Sequence, residues 1–301
     1  MKGLWVASLA LFASGSLGLW FVYSLIPSAS VSSKSAPSPV AAPSPVSDLP
    51  KYQKFSLPNS DLHTVTISPK SRFKVSIAVS PTLDTIDQFA KSQKAIAVLN
   101  GGFFDPKNEK TTSYVTQNGK VVSDPRKNDR LMTNPDLAPY LPQILERSEF
   151  RSYQCADKVQ YAIAPRSAAV PSGCELMDAI GGGPQLFPEL TATEEGFVDP
   201  NVGRDSIGIT QRNSRSAIGI KPDGSVVLVM AAQKPEAPNN SGMSVQAMTS
   251  FMQRLGVTQA LNLDGGSSSA LIFQDQTFYG KVDKSGQPVP RAIKSAIIVH
   301  E

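Results

Sequence analysis

The amino-acid sequence predicts a single globular domain of the α/β class, α+β type, built on a mixed, largely antiparallel sheet with a few helices. Three observations support this prediction. Apolar and polar residues alternate along several short segments, turn dipeptides separate some of those segments, and two other segments repeat apolar residues at helical spacing. Hydrophobic residues make up 41% of the chain and charged residues 18%, which is typical of a globular protein.

Residues 1–27 are predicted to be a signal anchor or a signal peptide. An uncharged, mostly apolar run extends from Leu4 to Ile26, and a helix of about 20 such residues can span a bilayer core. Lys2 precedes the run, which favours a cytoplasmic N-terminus and places the rest of the chain across the membrane. Small residues surround Ala29, so cleavage stays open, and a buried core helix is the remaining alternative.

Residues 28–50 are rich in Ser, Pro and Ala and are predicted to form a semi-rigid spacer. The globular domain follows as residues 51–301. The protein is therefore expected to be exported and to be membrane-anchored, periplasmic or extracellular. The formal net charge is only +4, and Lys and Arg form no basic cluster, so nucleic-acid binding is not predicted.

Strands are predicted throughout this domain. Apolar and polar residues alternate from Val65 to Ile67 and from Phe73 to Val79. The dipeptides Asn118-Gly119 and Asp223-Gly224 are typical of tight hairpins. Residues 124–151 are polar and rich in proline, which predicts a long surface excursion. Further strands are predicted at residues 271–273, 277–279 and 291–299.

Two helices are predicted, and each precedes a short apolar segment. Thr85 and Gln88 have the spacing of a capping box at the start of the first helix. In the second, from Ser244 to Leu255, apolar residues recur three and four positions apart. Gly256 suits the left-handed residue that ends a helix.

Cys155 and Cys174 are the only cysteines. On the exported side of a membrane such a pair is expected to form a disulfide, which would close a loop of about 20 residues. The alternative is a metal or redox pair, which the spacing favours less because it is not Cys-x-x-Cys.

Two glycine-rich loops that follow predicted strands are the candidate site. One contains Asn262, Asp264, Gly265, Gly266 and Ser267, and the other contains Asn100, Gly101 and Gly102. Glycines let backbone N–H groups approach a ligand and hold an anion. The repeated pattern suggests that the loops meet at one place, while chance repetition and an ordinary β-turn at Asp264 stay as alternatives. The glycine-rich segment 179–187 is expected to lie beside them.

Several common enzyme sites are excluded. The chain has only two histidines and no His-Glu-x-x-His pair, so a catalytic zinc site is not predicted. The glycines match neither a Gly-x-Ser-x-Gly elbow nor a phosphate loop. A carboxylate on a Gly/Ser loop remains, together with arginines elsewhere. This combination suits a sugar joined to an anion, because arginine recognises phosphate and a carboxylate can act at an anomeric carbon.

The motifs, taken together and in order, resemble those of the phosphodiester glycosidase family. The resemblance covers about Val75 to Val299 and implies a mixed α/β fold and hydrolysis of the sugar C1–O–phosphate bond. One departure is Ser267, which stands where many members carry a third glycine. The motifs that carry the resemblance are residues 100–104, 181–184, 215–219, 262–268 and the final strand, 291–299.

Each candidate residue receives a predicted role. Asp264 is predicted to act on the anomeric carbon or its attacking water, and Asp105 is a candidate second carboxylate. A leaving phosphate needs little protonation, because its last pKa is near 6, so one carboxylate can suffice. The other predicted roles are phosphate binding by Arg215, Arg291 and Lys294, sugar positioning by Asn100, Asn262 and Ser267, and ligand contact by Gly101, Gly102, Gly265 and Gly266.

The expected partner is a sugar-phosphate or glycan substrate in envelope or exopolysaccharide metabolism, with the membrane contacted through the N-terminal segment. A non-catalytic, membrane-tethered module that binds glycan or sugar phosphate is the alternative function. No cofactor is predicted with certainty. Loop carboxylates can collect a divalent cation such as Ca²⁺, but the sequence shows no Ca²⁺-loop spacing.

Overall fold

Strands dominate residues 48–301, the part of the chain that this computed structural model describes. The predicted segment 1–27 and nearly all of the predicted spacer lie outside the described residues. Within residues 48–301, no helix is both long and apolar enough to cross a membrane. The strands are β1 (Lys51–Leu57), β2 (Ser60–Ile67), β3 (Lys74–Asp84), β4 (Ala97–Asn100), β5 (Val115–Gln117), β6 (Lys120–Ser123), β7 (Ser148–Cys155), β8 (Lys158–Pro165), β9 (Cys174–Gly181), β10 (Gln185–Phe187), β11 (Val198–Asp199), β12 (Arg204–Asp205), β13 (Arg215–Ile220), β14 (Val226–Ala232), β15 (Gln259–Asn262), β16 (Ala270–Phe273), β17 (Gln276–Tyr279) and β18 (Ile293–His300).

The helices are short and few. The α-helices are α1 (Ile86–Gln93), α2 (Asp129–Met132), α3 (Leu141–Leu145) and α4 (Val245–Arg254), and 3₁₀ turns lie at Pro125–Lys127, Ala138–Tyr140 and Gly266–Ser268. Strands account for 42% of the structure and helices for 14%. The domain is therefore sheet-rich rather than a balanced α/β structure, which refines the predicted class.

Three main sheets form the domain. Their strand orders are β1-β2-β14-β13-β15-β10, β17-β16-β4-β18-β3 and β6-β5-β9-β7-β8, and β11 and β12 form a small ribbon. Every pairing between these strands is antiparallel. The largely antiparallel prediction is confirmed, and the mixed sheet is wrong for the described strands.

The reason lies in two inserted strands. Helix α1 joins β3 to β4, and α4 joins β14 to β15, which are connections of the kind that place two strands parallel and adjacent. Here β18 lies between β3 and β4, and β13 lies between β14 and β15. Each helix therefore connects strands that are not neighbours, and the inserted strand makes both of its pairings antiparallel.

The first two sheets enclose the main core, and a helix covers the outer face of each. Along β14, Leu228 and Met230 point into the core between the sheets, whereas Val227 and Val229 point toward α4. Helix α1 covers the second sheet in the same way. Because β14 is buried on both faces, its sequence is apolar at every position instead of alternating.

The predicted helix ends and turns are confirmed. Thr85 and Gln88 form the capping box of α1, and Ser244 caps α4. Gly256 has φ +78° just after α4. The Asn118-Gly119 turn has φ 48° and 73°, as a type I′ hairpin requires.

The surface excursion predicted for residues 124–151 is wrong at its end, because residues 148–151 begin the buried strand β7. Glu149 and Arg151 form an ion pair 3.0 Å apart with side chains 1% and 3% exposed. Charged residues are usually exposed, so their presence led to the wrong prediction that this segment lies on the surface. The predicted disulfide is confirmed, since Cys155 and Cys174 are bonded and lie opposite each other on β7 and β9.

Candidate functional site

The two predicted glycine-rich loops contact each other at one edge of the facing sheets. The Asp264 N–H donates to the Gly101 carbonyl at 3.1 Å. In return, the Asn100 Nδ2 group donates to the Asp264 carbonyl at 2.7 Å. Strand β4 leads into one loop and β15 into the other, so the contact joins the ends of two different sheets.

A cavity of about 580 Å³ opens at this contact. Its volume lies within the range of about 300–1,000 Å³ that is usual for small-molecule sites. Residues 262–266 form one side of the wall, and residues 204–208 form another. Aromatic and basic side chains are prominent in the wall, namely Phe103, Phe104, Phe197, Arg147, Arg204 and Arg215.

Asp264 is the carboxylate at the centre of the loop contact, and it lines the cavity. Its Oδ1 atom accepts a hydrogen bond from the Gly265 N–H at 2.9 Å. Burial raises its pKa to about 6, against the opposing effects of Ser268, Arg291 and the Gly265 N–H. The Ser268 hydroxyl is near but makes no hydrogen bond of ordinary geometry. A carboxyl with a pKa this close to neutral can exchange a proton during a reaction.

Arg291 is the cation that acts on Asp264. Its Nη1 group donates to the Ser267 hydroxyl at 2.7 Å, and its guanidinium lies 5.0 Å from the centre of the Phe104 ring. The structure therefore brings three of the predicted residues, Asp264, Ser267 and Arg291, near one another, and of these Asp264 lines the cavity.

Lys294 does not join them. Its ammonium group donates to the Pro81 carbonyl at 2.7 Å, and burial lowers its pKa. Lys294 lines a different, smaller cavity beside Lys110 and Lys127. The predicted phosphate contact of Lys294 is therefore not present in this arrangement.

Arg215 lines the cavity, but its guanidinium is occupied by the backbone. It donates to the carbonyls of Ile207 at 2.9 Å, Gly208 at 2.7 Å, Gln211 at 3.0 Å and Met243 at 3.2 Å. Burial lowers its pKa to about 10, and the charge of Asp205 opposes that shift. Arg215 thus holds the loop that forms the cavity wall, instead of presenting a free fork to phosphate.

Asn100 is fully buried and is not part of the cavity wall. Its Oδ1 atom accepts from the Ser216 hydroxyl at 2.6 Å and from the Ala270 N–H at 3.2 Å, while its Nδ2 group holds the Asp264 carbonyl. All of these partners are protein groups. The side chain therefore positions the Asp264 loop, and the predicted sugar contact is not seen.

Asn262 keeps its predicted place at the cavity, whereas Asp105 does not. Asn262 lines the cavity, and its Nδ2 group donates to the Gly183 carbonyl at 2.8 Å. Asp105 is not in the wall, because it pairs with Arg130 at 2.7 Å. Burial acts to raise the pKa of Asp105, but hydrogen bonds from the Lys107 N–H and Arg130 outweigh it and lower that pKa.

Arg147 and Arg204 are wall residues that the sequence did not reveal. The Arg147 Nε group donates to the Glu195 carbonyl at 3.1 Å, and its guanidinium lies 3.6 Å from the centre of the Phe197 ring. Burial lowers its pKa to about 9. Residue 147 fell in the predicted surface excursion, and no local pattern marks an arginine that packs on a ring distant in sequence.

A model of the phosphodiester glycosidase family matches residues 93–300. The chain belongs to the phosphodiester glycosidase family. The family resemblance that the sequence motifs predicted is thus confirmed. No curated protein matches the chain by sequence.

Two solved structures share the fold of this phosphodiester glycosidase family member. One is the catalytic domain of zebrafish N-acetylglucosamine-1-phosphodiester α-N-acetylglucosaminidase, auto-inhibited by its pro-peptide. It is 16% identical, has a TM-score of 0.59, and the match covers 84% of this chain and 82% of that one. The other is a protein described as exported, from Burkholderia pseudomallei. It is 14% identical, with a TM-score of 0.51 and 80% and 74% coverage.

The glycines of the family motifs divide into two kinds in this chain. Gly265 and Gly266 line the cavity, and Gly266 has φ +61°, which favours glycine. Gly102 instead serves packing, because a Cβ there would lie 2.3 Å from the Gly181 carbonyl oxygen. Gly101 is similar, with the Ser295 backbone 2.8 Å from such a Cβ.

The acidic residues of this family member are dispersed. Between residues 48 and 301, no group of three or more His, Cys, Asp or Glu side chains is placed to hold a metal ion. Asp205 is the other carboxylate of the cavity wall, and its Oδ2 atom accepts from the Ile209 N–H at 2.8 Å.

Proposed function

We propose that this protein hydrolyses the sugar C1–O–phosphate bond of a glycosyl phosphodiester outside the cytoplasm, in envelope or exopolysaccharide metabolism. Membership of the phosphodiester glycosidase family supports the reaction class. The observation that carries the proposal is Asp264 in the wall of an aromatic and basic cavity, with the charge of the nearby Arg291 acting on its carboxyl group. A carboxylate serves the anomeric carbon, and a neighbouring guanidinium serves the phosphate.

In the proposed reaction, ionised Asp264 either attacks C1 and forms a glycosyl ester, which water then hydrolyses to free sugar and the carboxylate, or takes a proton from the water that attacks C1. The C1–O bond breaks, and its electron pair leaves with the phosphate. Arg291 stabilises the charge on that phosphate, and Ser267, which accepts a hydrogen bond from Arg291 at 2.7 Å, orients the guanidinium. Because a phosphate monoester has a last pKa near 6, its departure needs little proton donation.

Export is the second part of the proposal. Disulfides persist in oxidising compartments and are rare in the cytosol, and Cys155 and Cys174 are bonded. The apolar run from Leu4 to Ile26 would carry the chain across the membrane and, if it is not cleaved, would anchor it there. Residues 28–50 would then hold the catalytic domain away from the bilayer surface.

The test is release of free sugar from a panel of sugar-1-phosphodiesters by the full-length protein, with and without a chelator. Asp264→Asn is expected to abolish release, and Asp105→Asn serves as the matched control because that carboxylate lies outside the cavity wall. Loss of turnover in Asp105→Asn with retention in Asp264→Asn would reverse the assignment. Binding without turnover in the wild type would favour the tethered binding module instead.

A further inference from the structure

Arg147 and Arg204 are basic residues of the cavity wall, and neither is among the groups that shift the pKa of Asp264, whereas Arg291 is. Arg147 is 8% exposed and packs on the Phe197 ring. The guanidinium of Arg204 lies 4.5 Å from the centre of the Tyr140 ring. Both arginines line the cavity, so two cations that flat aromatic rings hold in place face the same space.

Neither guanidinium forms an ion pair with an acidic side chain among residues 48–301. Each makes one hydrogen bond, through Nε to a backbone carbonyl: Arg147 to Glu195 at 3.1 Å and Arg204 to Gly196 at 3.3 Å. Their Nη groups make no hydrogen bond to the described residues. Burial lowers the pKa of Arg147 and the charge of Glu195 opposes that shift, but the two side chains form no ion pair, and the Glu195 Oε1 atom accepts from the Ser148 hydroxyl at 2.8 Å.

Placing these two guanidinium groups in a cavity that holds only water costs free energy. A buried cation without an ion-pair partner loses hydration. Burial lowers the pKa of Arg147 against the opposing charge of Glu195, and the charge of Arg204 lowers that pKa further. An anion between the two guanidinium groups would remove both costs, because carboxylate and phosphate oxygens match the fork of free Nη donors.

The cation beside Asp264 is a different one. Arg291 lies over the Phe104 ring, whereas Arg147 lies over Phe197, which packs against Phe103 with ring centres 5.6 Å apart. Two aromatic rings of the cavity wall therefore each contact an arginine: Phe104 contacts Arg291, and Phe197 contacts Arg147. A sugar ring can pack on these aromatic rings while its charged substituents reach the arginines.

We infer that the substrate carries a second anionic group, a carboxylate or a phosphate, which Arg147 and Arg204 bind while the phosphodiester lies beside Asp264 and Arg291. The inference rests on the proposed function for the position of the phosphodiester. It narrows the substrate class to diesters of a sugar 1-phosphate whose sugar is a uronic acid or carries another phosphate.

Binding to the full-length protein tests this inference by calorimetry with three probes: glucose 1-phosphate, glucose 1,6-bisphosphate and glucuronic acid 1-phosphate. A charge-assisted contact predicts binding about 10- to 100-fold tighter for whichever probe carries the matching second anion. Preference for the bisphosphate identifies a phosphate subsite, and preference for the uronic acid identifies a carboxylate subsite. Equal affinity for all three probes would overturn the inference.

Variants assign the preference to these residues. Arg147→Gln and Arg204→Gln are each expected to bring the affinity ratio between the preferred probe and glucose 1-phosphate close to one. Arg254→Gln is the matched control, because Arg254 also lies over a ring, that of Phe251 at 5.8 Å, but is not part of the cavity wall. An unchanged ratio in both cavity variants refutes the inference.

A folding control and the independence of binding from turnover complete the test. Circular dichroism establishes that each variant is folded, and if Arg147→Gln does not fold, the half-buried Arg204 carries the test. Binding needs no turnover. A protein that prefers the doubly charged probe but hydrolyses no phosphodiester would refute the proposed function and leave this inference standing.

Discussion

Replacing Asp264 with Asn is expected to stabilise the folded protein at neutral pH. Burial raises the pKa of this carboxyl from 3.8 to about 6. Each pKa unit corresponds to about 1.4 kcal/mol, so ionised Asp264 costs the folded state about 3 kcal/mol. Asn carries no charge and, with its amide oxygen toward Gly265, keeps an acceptor for the Gly265 N–H that now donates to Oδ1.

The sign of the pH dependence follows from the raised pKa. Protonated Asp264 is favourable in the folded state, so its contribution is fully present below about pH 4 and is lost as the pH rises through about 6. The free energy of unfolding of the Asn variant, minus that of the wild type, should therefore grow between these values and level off above about pH 7.

The assay is denaturant unfolding of the wild type and the variants across this pH range, extended downward to well below the ordinary carboxyl pKa of 3.8. Asp105→Asn is the control of opposite sign, because the hydrogen bonds from Lys107 and Arg130 lower the Asp105 pKa despite its burial. That variant should be less stable than the wild type near pH 7, and the deficit should shrink as the pH falls through the lowered pKa. If the Asp264→Asn difference were constant with pH, the reasoning from burial would be refuted.

Three other outcomes are expected. The kcat/KM for a sugar-1-phosphodiester should fall about tenfold for each pH unit below about pH 6, because ionised Asp264 is the form that acts in the proposed reaction. A pH–rate profile that instead falls above pH 6 would show that protonated Asp264 is the active form. Replacing Cys155 and Cys174 with Ser should lower the free energy of unfolding by about 3 kcal/mol, measured against the wild type with and without reductant; equal stability would mean that the bond adds nothing. Gly102→Ala should cost about 2 kcal/mol or more, since its Cβ would lie 2.3 Å from the Gly181 oxygen, and a wild-type melting temperature would contradict that close approach.

The local sequence was sufficient to predict the backbone conformation wherever that conformation depends on residues a few positions apart. The capping box at Thr85 and Gln88, the left-handed Gly256 and the positive-φ turn at Asn118 and Gly119 all follow from residues within a few positions of each other. The buried strand that begins at Ser148 could not be predicted from the local sequence, because its charged residues are buried with partners that come close only in the folded chain.

The candidate site shows the same division. The chemistry of Asp264 could be read from its loop, but its neighbours could not. Asn100 and Arg215 looked like ligand contacts, and in the structure their polar atoms hold protein backbone. Conversely, Arg147 carried no local signal, because its role depends on Phe197 and on the cavity that the loops enclose.

The sequence by itself predicted the family, helices α1 and α4, most strands and the hairpins, and it favoured the disulfide pair and the contact between the two glycine-rich loops, because each of these has a local pattern or an ordered set of motifs. Only the tertiary structure decided that β18 and β13 insert between strands joined by helices, and which arginines face the cavity. Both depend on contacts between residues far apart in the chain. A side chain's neighbours across a fold leave no trace in its local sequence, and those neighbours decide whether an arginine holds backbone or faces a ligand.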